Sequence, residues 1–204
     1  MKESLPLKLN ISDIVLNAIA LVIGLFIIPI SLSAQVIDFG SYESSSAVVT
    51  PERNLEFGLI LKDDSESINL GSGLEGVISI VGIRYLDIIV DFSPFPVNYL
   101  YLDGNISCVT DDCRIPFSMS VVYTNAGQIL DNVSGAITIS GASERFPVLA
   151  RGGGPPRPPP VPVHSGYTPP TETAYLYFYG SITTSTSNSS GNYWNDITVT
   201  VTYD

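Results

Sequence analysis

The chain has one histidine, His164, and any general-base chemistry at neutral pH would turn first to it. It sits in "PVHSG", inside the most proline-dense stretch of the sequence. A Ser–His–Asp relay needs that imidazole held rigidly beside a nucleophile. No "GxSxG" elbow supplies one, so the expectation is a solvated histidine. Paired carboxylates of the glycosidase kind meet only in a fold, and nothing in the spacing points to them. The expectation is a protein that is not an enzyme and needs no cofactor.

Other groupings suit binding or cross-linking. In "CVTDDC", Cys108 and Cys113 are close enough to close a small loop as a disulfide, if the chain is exported. Two thiols fall short of the four ligands structural zinc usually takes. Around that loop gather Asp103, Asn105, Asp111 and Asp112. Such oxygen groups can hold calcium, but the spacing does not fit an EF-hand, and solvated turns form from the same residues. Asn105, Asn132 and Asn188 each begin an Asn-x-Ser sequon in an expected turn, open to glycosylation where the host performs it. "YLYFYG" puts Tyr175, Tyr177 and Tyr179 on one strand face. That ladder is either a glycan- or partner-binding face or the plain outer face of a sheet.

Export is read from the N-terminus. Lys2 and Lys8 precede an apolar run over residues 14–32, which ends at the small residues of "SLSAQ". This predicts a secretory signal peptide over residues 1–34, cleaved after Ala34; a retained anchor is the rival. The membrane would be met only through this segment, and the mature chain is expected outside the cell, at its surface. A formal net charge of −11 argues against nucleic acid as a partner.

The remaining sequence must build a scaffold. Tyr, Thr, Ser, Ile and Val abound, and short alternating runs recur between Gly, Pro, Asn and Ser. "ITVTVTYD" alternates Ile197, Val199, Val201 and Tyr203 against three threonines and Asp204. "FSMSVVY" aligns Phe117, Met119, Val121 and Tyr123. Two strands are expected on either side of a turn at Gly82, over residues 77–81 and 85–92, and two more around Pro51. No helical period appears beyond the signal segment. The pattern predicts an all-β chain: a single Ig-like or pilin-like antiparallel sandwich of about seven to nine strands over residues 47–204. Residues 151–170 form a Pro-rich loop, too poor in backbone donors for a central strand.

Residues 35–46, "QVIDFGSYESSS", stand apart as an N-terminal extension. Val36, Ile37, Phe39 and Tyr42 make it a candidate donor strand, tethered by serines, for the open sheet edge of a neighbour. The other reading is an ordinary first strand of the same domain.

Three stretches carry a family resemblance. Leu55-Glu56-Phe57-Gly58 matches a "Leu-x-Phe-Gly" step, Ile78, Ile80 and Gly82 loosely match a "Phe-x-Val-x-Gly" step, and Gly191, Tyr193, Val199, Val201 and Tyr203 match the closing pattern. With these the chain, over residues 47–204, resembles domain-of-unknown-function family 4402, of secreted bacterial β-sandwich proteins. The Pro-rich loop and the cysteine pair depart from that pattern. The resemblance implies a surface or pilus-like protein without catalytic residues to carry over. Together these features predict a structural subunit of a surface filament whose partners are copies of itself, with an assembly chaperone or a surface glycan as further candidates. The alternative is a monomeric adhesin that binds glycans or calcium.

Overall fold

A computed structural model of the chain describes residues 46–152 and 169–204. The candidate donor residues Val36, Ile37, Phe39 and Tyr42, the signal segment, His164 and most of the Pro-rich loop lie outside the described residues.

Among the described residues the chain is all β. Eleven strands form: β1 (Val48–Arg53), β2 (Ser65–Ile68), β3 (Gly76–Ile83), β4 (Asp87–Ser93), β5 (Tyr99–Leu102), β6 (Arg114–Thr124), β7 (Ile137–Ile139), β8 (Ser143–Pro147), β9 (Thr171–Thr183), β10 (Tyr193–Trp194) and β11 (Thr198–Tyr203). The excess over seven to nine comes from pieces of two to four residues, too short to show a period. No helix long and apolar enough to cross a membrane occurs among the described residues.

Two antiparallel sheets face each other. The large one runs β1-β3-β9-β6-β5-β10, with β2 adding to β9 and β7 to β6; the small one is only β11-β4-β8. The inner core forms where the alternating runs meet. Ile80, Val121, Tyr123, Leu176 and Phe178 of the large sheet pack on Ile88, Val90, Phe92 and Phe146 of the small one. Tyr123 stacks on Phe146 at 3.9 Å. Burying each such side chain stabilises the fold by about 1.5–3 kcal/mol.

Gly82 is not a turn residue, contrary to expectation. It lies within β3, paired with Glu172 of β9. A Cβ there would meet Tyr203 Oη and Val148 Cγ2, both at 2.9 Å. The glycine therefore lets the sheets approach, and the actual turn sits at Tyr85, with φ of 67°. Pro51 likewise interrupts nothing: β1 passes through it beside a bulge, as proline can at a sheet edge. The second strand expected after Pro51 does not form. Residues 54–61 belong to no strand, and a turn begins at Lys62.

Candidate functional site

The small sheet does not reach across the whole large sheet. Beyond it, Val97, Ile115, Phe117 and Ile182 form a second buried cluster on the inner face. Leu55, Phe57 and Ile60 close one side of that cluster, and Tyr193 and Ile197 the other. Between these two walls runs an open groove of about 1090 Å³. One wall is residues 54–62, the other residues 188–197, and the floor includes Val97, Leu100, Ile115, Phe117 and Ile182.

Sequence explains the first wall. Leu55 and Phe57 turn inward while Asn54 and Glu56 face solvent, as in a strand. Gly58, at a φ of 74°, then shifts the phase. After it Ile60 packs inward, while Leu59 and Leu61 are 95% and 69% exposed. Phe57 meets Phe117 edge-on at 5.7 Å. The second wall leads into β11, whose only strand partner among the described residues is β4. Val199 and Val201 of β11 are consequently half-buried, whereas Ile88 and Val90 of β4 are fully buried. The flank is thus one apolar floor with too little roof.

The cysteine loop borders the same end. Cys108 and Cys113 are joined as a disulfide. Asp103 N donates to Asn192 O at 2.7 Å, and Ser189 N to Asp112 O at 2.7 Å, so the loop braces the second wall. Arg114 takes the Asp111 carboxylate at 3.2 Å and stacks 4.4 Å over the Tyr99 ring. The acidic residues Asp103, Asp111 and Asp112 do not converge: no metal-holding group of three acidic, His or Cys side chains forms among the described residues.

Two expectations about exposure need correction. Tyr175, Tyr177 and Tyr179 do share a face, but Tyr177 is fully buried, packed with Val77 and Val122 beneath Leu70, Val133 and Ala136. The loops over the outer face of the large sheet take Tyr177 out of solvent and leave Tyr175 and Tyr179 half-buried. Asn188 is also buried, at 4% exposure. Its Nδ2 donates to Asp111 O at 2.5 Å and Arg114 O at 3.0 Å, while its Oδ1 accepts from Ser185 N at 2.6 Å. That amide is a structural tie with no room for a glycan. Asn105 and Asn132 are exposed, each accepting from the backbone N–H of its own sequon serine.

Sequence reasoning passed over a buried polar cluster behind the large sheet. Glu75 is fully buried; its Oε2 accepts from Ser72 Oγ at 3.1 Å and its Oε1 lies 3.9 Å from Arg53. Arg53 also holds Glu75 O and Asp131 Oδ1, each at 2.7 Å. The Asp131 hydrogen bond is the main reason the Arg53 pKa is raised. Nothing in the order "GSGLEG" marks Glu75 as buried, because a lone acidic residue between glycines reads as a turn.

Burial raises the Tyr177 pKa above 10.0, with Thr124 and the Asp131 backbone lying near enough to oppose the rise. Those contacts are loose: neither Tyr177 Oη nor Thr124 Oγ1 has a partner at good hydrogen-bond geometry. The groove's lining reaches Arg53 and Val77 at the edge of this cluster.

No family model matches the chain. No curated protein matches it. Among solved structures, one described as "Chaperone-tip adhesin complex is vital for synergistic activation of CFA/I fimbriae biogenesis" is similar over 79% of this chain, with 12% identity and a TM-score of 0.33. The match spans 43% of the length of that chain.

Proposed function

We propose that this chain is a non-enzymatic structural subunit of an extracellular surface filament, in which the N-terminal extension of one copy fills the groove of the next. The observation that carries the reading is the incomplete roof. An apolar floor flanked by an unpaired segment and an edge strand is the setting in which an added strand gains both backbone pairing and apolar burial. The chain holds a fitting piece in residues 35–46, where Ile37 and Phe39 fall on one strand face. The same open flank is the surface an assembly chaperone would cover before a neighbour arrives. The glycan-binding alternative is weakened by the burial of Tyr177, the centre of its proposed face.

Sedimentation velocity on residues 35–204 and on residues 47–204 tests the proposal. The longer chain should form large species and the shorter should sediment as a monomer. Equal sedimentation of both as monomers, with or without a cognate chaperone, would remove it.

A further inference from the structure

We infer that the edge on which the incoming strand pairs is residues 54–60, and that its occupant is the extension of a second copy. The inference rests on the filament reading and names which wall of the groove does the work.

The segment is anchored at both ends and empty between. Arg53 pairs with Val77 through β1 and donates to Glu75 O; Leu61 O accepts from Thr184 Oγ1 at 2.6 Å. From residue 54 to residue 60 no backbone N–H or C=O makes a hydrogen bond to any described segment. Yet Leu55, Phe57 and Ile60 are seated on the core. A half-buried segment that alternates like a strand up to Gly58, with its backbone groups unspent, offers an edge for a partner strand. The groove runs along the whole of this wall, whereas no residue from 198 to 203 lines it. An entering strand therefore meets residues 54–60 before it meets β11.

Reach identifies the occupant. An extended chain advances about 3.3 Å per residue. From Ala47 to Arg53, β1 covers roughly 20 Å by that rule, and residues 54–60 add about 23 Å. Doubling back from Ala47, a copy's own Tyr42 could travel only about 17 Å and would stop short of Arg53. Its Phe39 would pass Arg53 by about 7 Å and its Val36 by about 16 Å, even fully extended with nothing spent on the reversal, so the last ~7 Å of the wall stays uncovered. The extension of a second copy carries no such tether and can place its apolar residues along the full groove.

Hydrogen–deuterium exchange on residues 35–204, dilute and assembled, tests this. The amides of residues 54–60 should exchange freely in the dilute monomer and slow by about a hundredfold or more on assembly. Glu56→Pro removes an N–H that is unbonded in the monomer, so its melting temperature should hold while assembly falls by about tenfold or more. Filaments whose residues 54–60 still exchange fast would overturn the inference and leave the filament reading standing. Protection already present in the dilute monomer would make the chain's own extension the occupant and overturn it too. A wild-type chain that never assembles would bring down both. The wild-type comparison stands whether or not the proline variant folds.

Discussion

Tyr203 shows how one side chain can hold two sheets together. Its phenol oxygen accepts from Ile83 N at 2.8 Å, linking β11 to β3 across the sandwich, and Gly82 leaves the space for it. Tyr203→Phe should lower stability by about 1 kcal/mol, seen as a lower urea midpoint at unchanged slope. An unchanged midpoint would show that water replaces the bond without loss. The buried phenols give a pH signature. Burial is the first cause of the raised pKa of both Tyr123 and Tyr177; the charge of Glu144 adds to the rise at Tyr123. In the unfolded chain such phenols ionise around 10.0. The fold favours the neutral form, so this contribution is complete below pH 10 and is lost as pH climbs past it. Urea titrations from pH 8 to 11 should show stability level at first and then falling. Stability rising above pH 10 would contradict the burial of these rings. Sequence placed Tyr123 inward by its alternation with Val121 and Met119. It could not place Tyr177 inside, because the cover comes from loops far away in the chain.

Among the elements, long alternating strands were legible and short or unpaired ones were not. β4, β6, β9 and β11 each carry enough residues for a period of two to stand out. β10 has two residues, and residues 54–62 keep strand alternation only as far as Gly58. Turn chemistry misled at Gly82 and at Pro51, where tertiary packing uses a glycine for close approach and tolerates a proline at an edge. The disulfide loop was legible from its spacing. Its brace was not, since it depends on Asn188 reaching back 77 residues to Asp111 O. Asn188→Ala strips two donated and two accepted bonds from a buried site. It should cost about 2–3 kcal/mol in chemical unfolding. A loss within a few tenths would mean that the loop holds without it. In a glycosylating host, mass spectrometry of folded protein should find glycans at Asn105 or Asn132 and none at Asn188.

At the scale of the molecule, the chain builds most of a sandwich and leaves part of its floor open. Eight strands in one sheet face three in the other, and the uncovered end is apolar. Composition and alternation made the all-β architecture readable before any coordinates. The groove was not readable, because no single segment encodes it: it arises where residues 54–62 and 188–197 stand apart over a shared floor. What sequence did offer was a candidate for that piece, an apolar extension followed by serines. Complementarity between that piece and the open floor is the central claim. Its most direct test is electron microscopy of residues 35–204 beside residues 47–204, at equal concentration. The account predicts filaments from the longer chain and isolated particles from the shorter one. Filaments from the shorter chain, or isolated particles from both, would contradict it.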